Sequence, residues 1–243
     1  MIPNILSTIK GYGKGYLVKS DASAMIQPML PAANLAIRRT ALDEVGPFDT
    51  ACKTSGEDND LCIRMLKTDW ELFYEERAVV GHKHRASLKG LLKQWYGYGT
   101  YHPHIFKKHT PKCLEVVYHN DRSMLSWTSR RFHRILGMPV PCPMLVFVTP
   151  FHILHALLGL VALAWLMGAP VLSAVAALSG LGVWLYFSAG PFVRNCIRKR
   201  DLRWFPFAVI RYMVNWVFVF AAFRAGLKIG VIYIAATRAG ESH

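Results

Sequence analysis

Acidic residues are scarce in this chain: fifteen Asp and Glu stand against twenty-nine Lys and Arg, for a formal charge of +14. No nucleic-acid recognition motif accompanies that excess, so nucleic acid is not an expected partner. Cysteine is sparse too. Cys52, Cys62, Cys113, Cys142 and Cys196 are odd in number and scattered, with no C-x-x-C or His/Cys zinc spacing. That pattern excludes a disulfide framework and points to reduced thiols facing a cytosol. The opening MIPNILSTIKGYGKGY has no basic stretch followed by an apolar core, which excludes a signal peptide. Internal repeats and low-complexity segments are also missing.

What is present divides in two. Residues up to about Pro143 read as a mixed soluble domain, and from Met144 the chain turns strongly apolar. The alternating prolines of Pro139-Val140-Pro141-Cys142-Pro143 suit a stiff joint carrying neither helix nor central strand. Met144 to Leu166 and Ala169 to Pro191 hold no Asp, Glu, Lys or Arg. Each is long enough to cross ~30 Å of hydrocarbon, for which about 20 residues suffice. A transmembrane helical hairpin over 144–191 follows. Arg130, Arg131, His133 and Arg134 lie before it, and Arg194, Arg198, Lys199, Arg200 and Arg203 after it. Basic residues at both ends place both flanks, and so the N-terminal domain, in the cytoplasm of a multi-pass protein of the cell (inner) membrane. Residues 205–223 are expected to form a third membrane segment, interrupted by Arg211, after a basic cytoplasmic loop over 192–204 and before a tail over 224–243. Residues 111–143 read as a juxtamembrane segment in which Arg122 to Met138 makes a basic amphipathic helix on an anionic surface.

Against this scarcity of acids, three fall together in SGEDNDLCIR: Glu57, Asp58 and Asp60. Gly56 permits a turn, and Leu61, Cys62, Met65 and Leu66 form an apolar stripe, so a helix from Asp58 to about Lys67 is expected. Acids in the first turn suit the helix dipole, and Asp60 with Arg64 is a favourable i, i+4 pair. The cluster can be a cap. Equally, a carboxylate projecting from a rigid helix end can take the proton of an incoming hydroxyl.

The neighbouring motifs widen the choice. PAANLAIRRTALDEVGPFD (Pro31 to Asp49), SGEDNDLCIRMLKTDWELFYEERAVVGHKH (Ser55 to His84) and KQWYGYG (Lys93 to Gly99) occur in that order. The stretch from Pro31 to His109 resembles the C-terminal half of the catalytic domain in inverting family-2 glycosyltransferases. The resemblance implies an α/β fold, a partial GT-A domain over 1–110, followed by membrane helices. It implies Asp58 as general base and Glu57 as its acidic partner. Asp60, Arg64, Gln94 and Trp95 are implied near the substrates, and His82 or His84 near the diphosphate or its metal. Trp95, Tyr96, Tyr98 and Tyr101 suit either stacking on an acceptor sugar or packing on the domain. The Arg-Trp spacing of processive members is missing, which argues against polymer synthesis. A strand ending at AVVGH completes the pattern.

The family also uses an N-terminal donor-binding half with a D-x-D that holds a divalent cation (Mg2+ or Mn2+). Only about 30 residues precede Asn34, too few for several βα units, and GYGKGYL lacks the ending of a phosphate loop. Two functions are therefore expected. One is the acceptor-and-base half of a membrane glycosyltransferase, using a nucleotide-diphospho-sugar donor and a lipid-linked or glycan acceptor, and either cut from a longer chain or working with a separate donor-binding half. The other is a non-catalytic membrane interaction protein keeping part of the fold.

Overall fold

The computed structural model describes residues 16–18, 30–52, 55–75, 78–81, 85–110, 112–119, 131–136, 140–184 and 205–235. Two groups of elements emerge, joined by one long helix. The first holds β1 (Tyr16–Val18), a 3-10 turn (Ala32–Asn34), α1 (Arg39–Val45), α2 (Glu57–Met65) and β2 (Leu72–Tyr74), with β1 and β2 antiparallel. Leu30, Ala41, Leu61, Cys62, Met65 and Leu72 form its core. Leu61, Cys62 and Met65 come from the apolar stripe of α2, whose spacing turns them to one side.

The joining helix is α3 (Leu88–His109), capped by the Ser87 hydroxyl, which accepts the Gly90 N–H at 3.1 Å. Its last turn carries Lys107, Lys108 and His109, the charge sign favoured at a helix C-terminus. Beyond it lie β3 (Leu114–His119), β4 (Arg131–Leu136), β5 (Met144–Val148), α4 (Pro150–Leu166), α5 (Pro170–Trp184), α6 (Phe205–Lys228) and β6 (Ile232–Ala235). The strands form one sheet in the order β4-β3-β5-β6, with β3–β5 and β5–β6 parallel and β3–β4 antiparallel. Phe106, Val117, Leu145, Phe147, Phe218, Ala222, Val231 and Tyr233 fill the space between that sheet, α3 and α6.

The fold corrects four expectations. The apolar run from Met144 splits into β5 and a 17-residue helix, so α4 is about 25 Å long at 1.5 Å per residue. α5 has 15 residues, and no helix among the described residues is long and apolar enough to cross a membrane. The split has a physical cause: Leu145 and Phe147 are buried in alternation, the period of a strand, and β3 and β6 supply the hydrogen bonds on both sides. Within the expected amphipathic helix of Arg122 to Met138, residues Arg131–Leu136 instead form β4, because pairing with Leu114–His119 satisfies their backbone. The proline joint does not separate two folds, since β3 before it and β5 after it are neighbours in one sheet. Lastly, the strand lies at Leu72–Tyr74, and residues 78–81 before His82 are irregular.

The third apolar segment runs on as helix to Lys228, and the tail contributes β6. α6 turns Val214, Phe218, Ala221, Ala222 and Ala225 inward and Val209, Met213, Phe220, Phe223 and Leu227 outward. Its close contact is with α3 at Gly99, where an added Cβ would lie 2.5 Å from the Phe218 carbonyl oxygen and 3.0 Å from the Ala221 Cβ. Gly99→Ala is therefore expected to lower stability by about 1–3 kcal/mol, the range for forcing extra volume into a tight contact. Gly159→Ala on α4, where nothing lies within 4 Å, is the matched control and leaves stability unchanged or slightly raised. Thermal unfolding midpoints of the two variants under the same conditions check the pair.

Candidate functional site

The acid cluster sits where the sequence suggests, at the start of α2. Gly56 caps that helix with φ 91°, a left-handed conformation that disfavours a side chain. Space forbids one as well. A Cβ on Gly56 would run into the Tyr101 ring and lie 2.8 Å from the Ile105 Cδ1. α3 thus presses directly against the root of the cluster. Tyr101 also hydrogen-bonds the Cys52 thiol, and its ring stacks on His104 at 5.9 Å.

The three acids have different surroundings. Asp58 is half-buried: its Oδ2 accepts the Ala32 N–H at 3.1 Å and its Oδ1 the Asn59 N–H at 2.8 Å. Glu57, beside it and also half-buried, forms no hydrogen bond or ion pair among the described residues. Asp60 has no solvent exposure at all. Its Oδ2 accepts from Arg64 Nε at 2.9 Å, and its Oδ1 from Lys108 Nζ at 2.7 Å and His109 Nε2 at 2.8 Å.

Arg64 does more than pair with Asp60. Its guanidinium donates to the Val45 carbonyl, to Gly46 O at 3.0 Å and to Pro47 O at 2.8 Å. That grip holds the Gly46-Pro47-Phe48-Asp49 turn, where Gly46 has φ 82°. Lys108 completes the ring by binding Asp49 Oδ2 at 2.7 Å. As placed, Asp60 and Arg64 are engaged with the protein rather than turned towards a substrate.

Protonation in this network follows from the partners. Lys67 Nζ, which only donates, lies 3.1 Å from His109 Nδ1, so Nε2 carries the proton that meets Asp60. His109 is then neutral. Burial pushes its pKa below the ordinary 6.5, and the nearby Lys67 and Lys108 charges add to this against the pull of Asp60. For Asp60, burial alone would raise the carboxyl, but hydrogen bonds from Lys108, His109 and Arg64 outweigh it and hold it below its ordinary 3.8. The Cys62 thiol, by contrast, is pushed up to about 11 by burial and is inert as a nucleophile.

The remaining candidates lie elsewhere on α3 or outside the described residues. Gln94 Nε2 donates to Tyr98 OH at 2.7 Å. Trp95 meets Tyr98 and Phe218 edge-on at 5.4 and 6.3 Å, packed against the core of the second group. Tyr96 is the exposed ring of this patch, and its hydroxyl accepts from Arg224 Nη1 at 3.3 Å. His82 and His84 lie outside the described residues. No group of three or more His, Cys, Asp or Glu that could hold a metal occurs among the described residues. Those residues do not by themselves make a cation site.

Chain order hid Lys108 and His109 from a reading of the sequence, because they lie 49 residues or so from Asp60. A basic last turn was the available signal, and it is shared by many helices. Ala32 and Asn34 were visible only as part of a motif. What the site offers chemically is a pair of adjacent carboxylates on a rigid helix end. One of them is oriented by two backbone amides, and each of its oxygens keeps a lone pair for an incoming hydroxyl.

A family model described as glycosyl transferase family group 2 matches residues 11–232. Two curated relatives, each a "Pre-mycofactocin glycosyltransferase" of Mycobacterium tuberculosis (strains CDC 1551 / Oshkosh and ATCC 25618 / H37Rv), are 32% identical over 98 residues. That stretch is 40% of this chain and 20% of each relative, so the match spans about a fifth of their length. No solved structure matches the chain significantly.

Two outcomes test the network. Asp60→Ala strips the acceptor from three bases and is expected to cost about 3 kcal/mol, the lower end for breaking a buried pair, because Lys108 is partly solvated. Stability should also depend on pH. The lowered His109 value means the unfolded state binds protons more readily, so this contribution is complete above pH 6.5 and is lost as pH falls through the folded value. The Asp60 contribution has the same sign and is lost only below pH 3.8. Urea midpoints measured from about pH 8 down to about pH 5 should fall, and His109→Gln should flatten that slope.

Proposed function

The chain belongs to glycosyl transferase family group 2, and on that footing we propose that it transfers a sugar from a nucleotide-diphospho-sugar to an acceptor hydroxyl with inversion. Asp58 is the general base and Glu57 its acidic partner. The acceptor hydroxyl gives its proton to Asp58 as its oxygen attacks the anomeric carbon, and the bond to the diphosphate breaks. One observation carries this reading: Asp58 is oriented by the Ala32 and Asn59 amides at the start of α2, beside Glu57, which forms no hydrogen bond or ion pair among the described residues. A divalent cation on the donor diphosphate, held mainly by the donor-binding half, belongs to the reading. The residues that bind the donor are proposed to belong to a separate half. The curated relatives act, by name, on pre-mycofactocin. A lipid-linked or surface glycan is the acceptor class proposed for this chain.

The proposed location is the cell inner membrane, with the N-terminal residues in the cytoplasm. Support comes from the α4–α5 hairpin, which buries Leu154, Ala164, Ser173, Ala176 and Gly180 between its helices and leaves many large apolar side chains on its outer face. Trp165, Leu166, Met167 and Val171 at its tip are 74% to 78% exposed, more apolar surface than a soluble monomer ordinarily shows. A contiguous outer face of large apolar side chains suits contact with lipid. The basic residues on both flanks support the cytoplasmic side for the residues next to the membrane. Release of the native chain from its membranes by alkaline carbonate would remove this part of the proposal.

The base role has its own test. Asp58→Asn, made in the assembly that shows transferase activity, should cut turnover by about 10²–10⁴-fold while donor binding is unchanged. Full turnover by that variant would exclude Asp58 as the base.

A further inference from the structure

Asp58 is not held by α2 alone. The N–H that meets its Oδ2 belongs to Ala32, 26 residues earlier, at the start of the 3-10 turn. That turn is three residues long and pairs with no strand among the described residues; Leu30 and Leu35 on either side of it pack into the first core, and a polar tie joins it to the chain beyond β2. The tie is Asn34, whose Nδ2 donates to the Ala78 carbonyl at 2.7 Å, across 44 residues. Within the turn, the Asn34 N–H donates to Pro31 O at 3.1 Å. Asn34 therefore fastens the turn to the irregular segment 78–81 on one side, and the turn presents an amide to Asp58 on the other.

The α2 helix has no need of either bond. Its first turn is closed by its own Asp60 N–H to Gly56 O bond at 2.9 Å, and Asp60 anchors it to α3. What the Asp58 carboxylate needs is direction. Rotation about its last side-chain bond is soft, with broad rather than staggered preferences. The Asn59 amide holds one oxygen and the Ala32 amide the other, so the plane of the carboxylate is set only while both remain.

We infer that Asn34 is a positioning residue: its side-chain amide holds the Ala32–Asn34 turn against Ala78 so that the Ala32 N–H orients Asp58 towards the acceptor hydroxyl. This rests on the reading of Asp58 as general base. Misplacing a reacting group by about 1 Å costs up to about 10²-fold in rate, so loosening the tie lowers turnover without changing what binds.

Two variants of the full chain test it, each with two readouts. Asn34→Ala removes the donor to Ala78. Ala32→Pro removes the amide itself, at a position where Pro31 already has the extended conformation (ψ 134°) that precedes proline. In Asn34→Ala, hydrogen exchange at the Ala32 amide should speed up about tenfold or more while α2 exchange and the thermal midpoint hold. In both variants kcat should drop about tenfold or more with donor KM within about twofold. Nucleoside diphosphate release from UDP-glucose, UDP-galactose and GDP-mannose, with membrane lipid extract as acceptor, supplies the rate. Unchanged Ala32 exchange in Asn34→Ala would overturn the tie. Faster exchange with unchanged kcat would overturn the positioning role. A wild-type chain that turns over none of these donors, even with its donor-binding partner present, would count against both the transferase reading and the role drawn from it. The exchange result would still report separately whether the tie exists.

Discussion

A carboxylate with no access to water is the point on which the first half of this molecule turns. A charge taken out of water is costly unless it is paired and hydrogen-bonded. Asp60 meets that demand with Arg64 from its own helix and Lys108 and His109 from the end of α3. Arg64 in turn spends its other donors on the Val45, Gly46 and Pro47 carbonyls, and Lys108 reaches Asp49. α2, the Gly46–Asp49 turn and the last turn of α3 are thereby one unit. Glu57 and Asp58 project from that unit, so its rigidity becomes theirs.

α3 carries the constraint further. On one side its Tyr101 ring lies where a Gly56 side chain would be, directly under the acid cluster. On another its Gly99 meets the backbone of α6 at Phe218. Two glycines thus let a single 22-residue helix touch both the candidate site and the apolar helix that closes the second core. The site and the outward apolar faces of α6 share one support. The acid cluster at the start of α2 and the outward apolar face of α6 therefore keep a fixed relation through α3.

The family match over residues 11–232 takes in the sheet and α4 to α6 as well as the stretch from Pro31 to His109. The structure agrees with that extent. β3 and β5 lie side by side although the alternating prolines stand between them in the chain, and β6 comes from what read as a tail. The apolar content of Met144 to Leu166 suggested one long membrane helix. Composition could not show that its first five residues would be claimed by two neighbouring strands.

Local chemistry settled much of the site in advance. The glycine before three acids and the stripe of Leu61, Cys62 and Met65 point to a helix beginning at about Asp58, one residue from the observed start, because periodicity and first-turn charge act over a few residues. Tertiary structure alone decided which acid does what. Asp60 and Asp58 are two residues apart and alike in type, yet one is sealed by partners 48 and 49 positions away and the other is aimed by an amide 26 positions away. Burial and long-range hydrogen bonds distinguish them, and neither is a property of local sequence.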